Sequence, residues 1–322
     1  MIIKDEQKLF KSPLVTVQVY AYNKEAFVRE CLDSVLSQYS DFEYEVIISV
    51  NPGTDKTADI CIEYQKNNPE KVILVLRERN MGFFYNYYAA ERMSRGKYIT
   101  RCDGDDYWCD DQKLKKQVAF MEANPNLGSC YTMCRIYDES NHCFRKNLMG
   151  DEYYGFKAML RSYPIPQPAV MYRHDLTIQY LDDFKPEQYD WIMEDVPRQL
   201  WIGWHSDIKR MDEITAVYRV VQDSASHRVD FDKQAKYYES VYECKSLFAK
   251  MCCPEDSKLE RDIFNFHSLK MISLCLQFHD VGKAWGYVKR YKYRNLMDLI
   301  KNIYYFLKIV FLAGYDKLLK HN

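Results

Sequence analysis

The sequence lacks the glycine-rich motifs with which many proteins bind phosphates. It contains no Gly-x-Gly-x-x-Gly stretch, which excludes a dinucleotide fingerprint, and no Gly-Lys-Ser/Thr stretch, which excludes a P-loop. The segment YAYNKEAF, residues 20–27, follows the first strand-like run and has no glycine. A nucleotidyltransferase would require a glycine-rich phosphate loop at this point, so that class of magnesium-dependent enzyme is disfavoured.

A strong net charge, an apolar leader and a membrane-spanning run are also missing. The formal net charge is -1, so no global basic field recruits nucleic acid. The opening residues MIIKDEQKLFKSPLV carry charges where a secretory signal needs an apolar segment. The run IYYFLKIVFLAGY, residues 303–315, is too short to span a bilayer and is interrupted by Lys308. We therefore expect a cytoplasmic protein.

Paired cysteine motifs are absent as well. The 11 cysteines are odd in number and scattered, and no Cys-x2-Cys spacing or matched histidine pair accompanies them. This pattern favours free thiols over disulfides and gives a structural zinc site little support. A hydrophobic content of 47% and a charged content of 28% indicate a folded chain rather than a disordered one.

The first 140 residues alternate between strand-like and helix-like segments. Apolar, β-branched runs predict strands at 14–22, 44–50, 71–77 and 97–103. Helical spacing predicts the segments between them, the first with Asn23 as a plausible N-cap, and a further helix at 112–125. This order predicts an α/β fold with a mostly parallel sheet and helices on both faces. Ligands of such sheets bind outside the carboxyl ends of the strands.

The later chain has a different character. A further strand is expected at 214–221, and from residue 231 onward the pattern is helical. We therefore divide the chain into residues 1–230 and a C-terminal helical module, 231–322. Residues 283–322 are basic and aromatic, which suits peripheral contact with an anionic membrane. A packed helix with a solvated basic face explains the same composition equally well.

One acidic cluster lies directly after the fourth predicted strand. The stretch ITRCDGDDYWCDD, residues 99–111, places Asp103, Asp105 and Asp106 nearly side by side. Like charges this close repel one another unless a cation or hydrogen-bond donors compensate them. Carboxylate oxygens at this spacing suit Mg²⁺ or Mn²⁺, and such sites leave coordination positions for substrate phosphates. The spacing does not match an EF-hand, which needs Asp or Asn at Tyr107 and Gly at Trp108.

Residues 13 to about 228 resemble glycosyltransferase family 2, whose members are inverting nucleotide-sugar enzymes of the GT-A fold. The resemblance is carried by five segments in order: VTVQVYAYNKEAFVRECLDSVLSQ, GTDKTADI, RNMGFFYNYYAAERMSRGKYITRCDGDDYWCDDQKLKKQVAF, EDVP and DEITAVYR. It implies the GT-A fold, a Rossmann-like and mostly parallel sheet, and an Asp-x-Asp-Asp motif that holds a divalent ion and reaches the ribose of the donor.

The resemblance also implies roles for individual residues. The nucleotide would contact Tyr20, Tyr22, Asn51, Asn80, Asp103 and Asp105. The ion would be held by Asp105 and Asp106, with His227 as a further candidate. Asp195 would be the base that takes the proton from the acceptor hydroxyl, with Glu194 beside it and Asp190 as fallback candidates. The apolar neighbours of Asp195, such as Val196, favour a lined pocket over a solvated helix face.

Two positions depart from the family pattern. The family commonly has two acidic residues where this chain has Val50 and Asn51, which leaves the base of the nucleotide open, with uridine as the default. The closing strand usually continues Tyr-Arg-x-His, but the last position here is Val221. His227 or Gln222 could substitute for that histidine.

These observations together predict a metal-dependent inverting glycosyltransferase that uses Mn²⁺ or Mg²⁺. The donor would be a nucleotide-diphosphate sugar, by default a UDP-sugar. The acceptor would be a hydroxyl of a glycan or lipid-linked acceptor in bacterial surface polysaccharide synthesis, reached at the inner face of the membrane. The departures at Val50, Asn51 and Val221 motivate an alternative, a catalytically degenerate sugar-nucleotide-binding or scaffolding protein of the same fold. Retention of the aspartate cluster and Asp195 argues against it.

Overall fold

The computed structural model describes residues 1–79, 83–221 and 230–292, together with positions 304, 307 and 311. The predicted site residues Asn80, Gln222 and His227 lie outside the described residues, as does most of the basic tail after residue 292. The chain forms two compact units. The first comprises Met1–Met159, Tyr163–Tyr189 and Glu194–Val221, and the second comprises Leu160–Ser162, Asp190–Met193 and the described residues after 229. The predicted domain boundary at residue 230 stays a prediction.

The described residues contain ten strands and ten α-helices. The strands are β1 Ile2–Ile3, β2 Val15–Ala21, β3 Tyr44–Val50, β4 Val72–Leu76, β5 Tyr98–Asp103, β6 Tyr107–Trp108, β7 Leu127–Asp138, β8 Cys143–Met149, β9 Val170–Arg173 and β10 Asp207–Val220. The helices are α1 Val28–Leu36, α2 Thr57–Asn67, α3 Phe83–Met93, α4 Lys113–Ala123, α5 Phe156–Arg161, α6 His174–Gln179, α7 Asp195–His205, α8 Phe231–Cys252, α9 Ser257–Gln277 and α10 Val281–Arg290.

The strands form one mixed sheet in the order β1-β4-β3-β2-β5-β9-β7-β10-β6, with β8 paired to β7. The long pairings β4-β3-β2-β5 and β7-β10 are parallel, whereas β9 joins them by short antiparallel pairings with β5 and β7. The chain therefore moves from β2 to β3 and β4 on one side and returns to β5 on the other. This reversal makes the carboxyl ends of β2 and β5 a topological switch point, where ligands of such sheets bind.

Alternating side chains of the central strands pack on both faces of the sheet. Val46 and Ile48 of β3 belong to the core cluster that includes Leu32 of α1. Ile47, between them, belongs to a different cluster with Ala90 of α3. Because successive strand residues point to opposite faces, these clusters place helices on both sides of the sheet. Burial on both faces explains why the strands are nearly continuous apolar runs.

One local prediction was wrong and one strand pair was missed. Asn23 does not cap α1, which begins at Val28; instead Asn23 has a positive φ of 51° and its side chain accepts a hydrogen bond of 2.9 Å from the Thr54 amide. Asparagine tolerates this left-handed conformation better than most residues. The antiparallel pair β7 and β8 was not predicted, because the exposed residues of β8 have no alternating apolar pattern.

The second unit contains three helices that are capped at their N-termini by an aspartate side chain. Asp230, Asp256 and Asp280 each precede a helix and accept a hydrogen bond of 2.9–3.0 Å from the amide three residues ahead. Such caps satisfy an otherwise unpaired helix amide and typically stabilise a helix by about 1 kcal/mol. None of the described helices combines the length and the apolar content that crossing a membrane requires.

Candidate active site

The aspartate loop, residues 103–106, leaves the sheet at the switch point between β2 and β5. Asp103 ends β5 and lies in register with Tyr20 of β2. The Gly104 amide donates a hydrogen bond of 2.9 Å to the Tyr20 carbonyl. A Cβ atom at position 104 would lie only 3.1 Å from that oxygen, so glycine permits this close approach. The loop is thereby held against the end of β2.

Two aspartates of the loop pair with different cationic side chains. Nη2 of Arg101 donates a hydrogen bond of 2.8 Å to Asp103. Nζ of Lys24, from the segment after β2, lies 2.5 Å from Oδ2 of Asp105. The two carboxylates are thus compensated separately, by groups that the protein itself supplies.

Asp106 is buried and has a main-chain partner. Its Oδ1 accepts a hydrogen bond of 2.8 Å from the backbone amide of Arg219 in β10. Burial raises the pKa of Asp106 well above its usual range, and the nearby charges of Asp105 and Asp103 raise it further. A cation close to this carboxyl would favour its charged form.

Asp105 and Asp106 fit a divalent ion by the chemistry of their oxygen atoms. No group of three His, Cys, Asp or Glu side chains is placed to hold a metal ion anywhere in the described chain. Mg²⁺, however, is commonly bound by one or two carboxylates, with phosphate oxygens and waters completing the shell. The high pKa of Asp106 also favours a nearby positive charge. The predicted participation of His227 concerns a residue outside the described ones.

Arg219, which the sequence analysis did not assign to the site, supports the aspartate loop. Its Nε donates 2.9 Å to the Asp105 carbonyl, and its Nη1 donates 2.9 Å to Glu139. Its Nη2 also donates to Glu30. The guanidinium lies over three aromatic rings, those of Phe27, Tyr107 and Tyr137. Arg219 of β10 therefore holds the aspartate loop in place.

We expect Arg219→Met to lower the free energy of unfolding by about 2 kcal/mol, because the partly buried Asp105 carbonyl and Glu139 carboxylate lose a charged donor that is itself only 8% exposed. Urea unfolding would measure this change. Arg145→Met is the matched control: Arg145 also pairs with a carboxylate, Asp138, at 2.8 Å, but its side chain is 41% exposed. Its loss should cost less than about 1 kcal/mol. Equal effects of the two substitutions would contradict the role assigned to Arg219.

The two tyrosines predicted to contact the nucleotide have different surroundings. Tyr22, just beyond β2, is 47% exposed and is free to stack on a planar ligand. The ring of Tyr20 packs on Tyr87 with a centroid distance of 3.9 Å, and its hydroxyl donates to Gln18 at 2.9 Å. The Tyr20 side chain is therefore engaged within the protein, and its contact with a nucleotide stays a prediction.

Asn51 lies at the carboxyl end of β3 and has an unused acceptor. Its Oδ1 is buried and has no hydrogen-bond partner among the described residues. Arg77, which follows β4, donates from Nε to Asn86 at 2.6 Å and lies over the ring of Tyr85, while its Nη2 is also buried and unpartnered there. Buried polar atoms without partners are rare and call for an explanation such as a ligand.

The predicted base lies at the start of α7. Asp195 is half-buried, and burial followed by the charge of Glu194 raises its pKa to about 6, while Arg101 and Arg198 lower it. Glu194 is buried; it forms an ion pair with Arg101 and lies 3.9 Å from Arg198. The fallback candidate Asp190 has a 98% exposed side chain and belongs to the second unit. A carboxylate with a pKa near 6 can accept a proton at neutral pH.

Arg101 connects the two predicted functional segments. Through one guanidinium it contacts both Asp103 in the aspartate loop and Glu194 beside Asp195. Asp105 lies outside this network, with Lys24 as its partner. The structure thus links the aspartate loop to Glu194, which directly precedes Asp195, the first residue of α7.

Comparison with known proteins identifies relatives of this chain. The profile described as Glycosyl transferase family 2 matches residues 16–181, just over half of the chain. An uncharacterised protein of Mycobacterium tuberculosis is 29% identical over 237 residues, which cover 68% of this chain and 62% of the relative. A putative teichuronic acid biosynthesis glycosyltransferase of Bacillus subtilis is 37% identical over 109 residues, covering 34% of this chain and 42% of the relative. The chain thus matches less than two thirds of the length of these relatives.

Solved structures share the fold at low sequence identity. S. aureus TarS 1-349 in complex with UDP-GlcNAc has a TM-score of 0.60 and 18% identity, covering 83% of this chain and 80% of that TarS 1-349 chain. The mannosyltransferase PcManGT from Pyrobaculum calidifontis, in complex with GDP-Man and Mn²⁺, has a TM-score of 0.57 and 15% identity, covering 95% of this chain and 88% of that chain. The predicted fold, a GT-A-like mixed sheet followed by a helical C-terminal region, is confirmed, and the chain belongs to glycosyltransferase family 2.

Proposed function

We propose that this protein transfers a sugar, with inversion, from a nucleotide-diphosphate donor to a hydroxyl group of an acceptor. The observation that carries this proposal is the connection, through Arg101, of the aspartate loop to Glu194, the residue that precedes Asp195. Inversion requires one base on the face of the sugar opposite the leaving nucleotide. Asp195 is our candidate for that base, because it is half-buried and ionises near neutral pH.

The donor would bind at the carboxyl ends of β2, β3 and β5. Tyr22 offers an exposed ring for the base. The unpartnered Oδ1 of Asn51 would accept a hydrogen bond from a ring N–H, and Nη2 of Arg77 would donate to a neighbouring carbonyl. Uracil and guanine both present such an N–H beside a carbonyl, and the two solved relatives were crystallised with UDP-GlcNAc and GDP-Man. UDP-sugars remain the default donor.

Asp105 and Asp106 would hold the divalent ion, Mn²⁺ or Mg²⁺. Such an ion, when bound, neutralises the charge that develops on a departing diphosphate. The chain contributes Lys24 to the same task, because its ammonium already lies 2.5 Å from Asp105. Asp103 is held by Arg101 and is our candidate for contact with the ribose.

The acceptor would be a glycan or lipid-linked hydroxyl in the synthesis of a bacterial surface polysaccharide. The name of the B. subtilis relative, which refers to teichuronic acid, supports this class of acceptor. A lipid-linked acceptor would be met at the inner face of the cytoplasmic membrane, where the basic residues 283–322 would contact anionic headgroups.

A thermal-shift panel tests the donor assignment. We expect at least one of UDP-GlcNAc, UDP-glucose and GDP-mannose, in the presence of Mn²⁺, to raise Tm by about 2 °C or more. The same donor should then release its nucleoside diphosphate upon incubation with the protein. A panel in which no nucleotide sugar changes Tm would contradict the proposal.

The membrane contact has its own test. Truncation after Lys292 removes five of the nine Lys and Arg residues between Lys283 and Lys320, namely Arg294, Lys301, Lys308, Lys317 and Lys320, together with His321. Binding to anionic vesicles should therefore fall. Co-sedimentation with vesicles of phosphatidylglycerol and of phosphatidylcholine would measure it, since only the anionic vesicles should retain the full-length chain. Equal retention of both chains by the anionic vesicles would contradict the contact.

A second candidate is a binding protein without turnover. The ion pair between Lys24 and Asp105 favours it, because the lysine occupies the carboxylate that a metal ion would need. Such a protein would show the donor-induced rise in Tm but would release no nucleoside diphosphate from any member of the panel.

A further inference from the structure

Arg101 has an unusual position for a charged residue. It lies in β5, within the apolar core of the sheet, and its side chain is only 3% exposed. Two residues later in the same strand comes Asp103, on the same face of the sheet. A buried guanidinium destabilises a protein unless carboxylates and hydrogen bonds compensate it. The partners of Arg101 therefore indicate the role of its buried positive charge.

The guanidinium of Arg101 contacts two carboxylates that are far apart in the sequence. Nη2 contacts Asp103 at 2.8 Å and the Tyr87 hydroxyl at 3.2 Å, while Nη1 contacts Glu194. Its planar group also lies over the ring of Tyr87, 4.6 Å from the centroid. A planar fork can hold two carboxylates in a fixed relation, whereas the ammonium of lysine is a single point charge.

The other charged groups around Asp195 are shared with further partners. Arg198, on the same helix, lies 3.9 Å from Glu194 but donates to Glu91 of α3 at 3.2 Å. Glu91, which also accepts a hydrogen bond of 2.7 Å from the Tyr172 hydroxyl, is therefore a nearer carboxylate partner of Arg198 than Glu194 is. Tyr163 interacts with Asp195 as well, but only as a neutral phenol, because burial raises its pKa. Arg101 is therefore the main compensating charge for Glu194.

We propose that Arg101 is a positioning residue that fixes Asp103 relative to Glu194 and, by neutralising Glu194, keeps Asp195 in its carboxylate form. The catalytic consequence rests on the proposed function, whereas the electrostatic part concerns the folded protein alone. The two parts can therefore be tested separately.

The first experiment measures the ionisation of Asp195 without any turnover. The free energy of unfolding is determined from pH 4 to 9, with and without Asp195→Asn, in the wild-type protein and in each variant described below. Because the pKa of Asp195 is about 6 in the folded protein and about 3.9 in an unfolded chain, ionisation of Asp195 destabilises the fold. The stability gained by Asp195→Asn should therefore increase between about pH 4 and pH 6 and stay constant above about pH 6. We call this constant region the plateau of Asp195.

Arg101→Met should move the start of that plateau upward by about one pH unit or more, because Glu194 then acts on Asp195 without compensation. Adding Glu194→Gln to Arg101→Met should return the plateau to near its original pH. An unmoved plateau in Arg101→Met would overturn the proposal.

A second pair of variants covers the case in which Arg101→Met fails to fold. Arg101→Met with Glu194→Gln removes both charges, which is better tolerated than leaving one of them buried alone. Compared with Glu194→Gln alone, the double variant lacks only the charge of Arg101, so its plateau should begin at a higher pH. Identical plateaus in these two variants would also overturn the proposal.

Arg95→Met is the control for a general loss of stability. Arg95 lies 2.6 Å from the fully buried Glu45, which belongs to the opposite end of the sheet, at the start of β3. Its replacement should destabilise the protein but leave the plateau of Asp195 unmoved. A plateau that moves equally in Arg95→Met would show a structural effect and contradict a specific role of Arg101.

The second experiment follows the release of UDP from UDP-GlcNAc and of GDP from GDP-mannose as a function of pH. In Arg101→Met the acidic limb of the pH profile of release should shift to higher pH by the same amount as the stability plateau. Adding Glu194→Gln should return this limb to near its original pH. A plateau that moves while the limb does not would uphold the role of Arg101 in charge compensation but reject Asp195 as the base, and with it that part of the proposed function.

Discussion

Asp195→Asn is expected to reduce sugar transfer by about 10²-fold or more while donor binding persists. The carboxylate of Asp195 is half-buried at the first residue of α7, and its pKa is about 6. At neutral pH it is mostly ionised and can accept the proton of the attacking hydroxyl, which an amide cannot do. Turnover of the wild-type protein should therefore rise as the pH increases through about 6, and this acidic limb should be lost in the variant.

The measurement is nucleoside-diphosphate release with the donor that gives the largest thermal shift, together with the Tm of each variant at saturating donor. Asp190→Asn is the matched control, because Asp190 is a carboxylate close in sequence whose side chain is 98% exposed. It should leave both turnover and the thermal shift unchanged. If Asp195→Asn lowers donor affinity and turnover equally, Asp195 has a structural role and the base is another residue.

The sequence predicted the parallel strands β2 to β5 well because burial on both faces leaves a continuous apolar signal. For example, the segment YEVIISV, residues 44–50, is predicted as a strand, and β3 has the same bounds, Tyr44–Val50. The same reasoning missed β8, whose residues are mostly exposed and contribute no such pattern. It also misplaced the start of α1, since Asn23 stabilises a turn through Thr54, a contact between residues distant in sequence.

The sequence analysis named acidic, tyrosine, asparagine and histidine candidates for the site, but not the cationic groups that compensate the aspartates. Clustered aspartates after a strand have a recognisable chemistry, but the groups that compensate Asp105 and Asp106 lie far away in the sequence. Arg219 reaches Asp105 and Asp106 from a strand more than 100 positions away. Arg101 did carry a local signal, a charged residue in the apolar run KYITRC, yet its partner Glu194 is 93 positions distant. Ion pairs of this kind depend on the folded topology.

The compensation pattern also changes how the aspartate cluster is understood. The crowded charge predicted from the sequence is distributed over Arg101, Lys24 and the Arg219 amide. Asp106 lies in a buried environment that strongly disfavours its charged form and raises its pKa. The need for an additional cation therefore concerns Asp106 most directly, because Asp103 and Asp105 already have cationic partners.

Asp105→Ala is expected to abolish the Mn²⁺-dependent part of turnover, a loss of about 10²-fold or more, because the developing charge of the diphosphate would lose its main compensation. It should also remove the part of the donor-induced rise in Tm that depends on Mn²⁺. Lys24→Met should act in the opposite sense on the metal, since it frees the carboxylate that lies 2.5 Å from the lysine. Half-maximal activation should then require less Mn²⁺, even if maximal turnover falls.

Asp110→Ala is the matched control for this change. Asp110 is also paired with a lysine, Lys116, at 2.6 Å, and its side chain is 17% exposed, against 16% for Asp105. Its removal should leave the Mn²⁺ dependence of both Tm and turnover unaltered. If Asp105→Ala retains full turnover, or if the wild-type protein is equally active with EDTA, then the Lys24 ammonium rather than a metal ion compensates the diphosphate, and the metal-dependent mechanism is wrong.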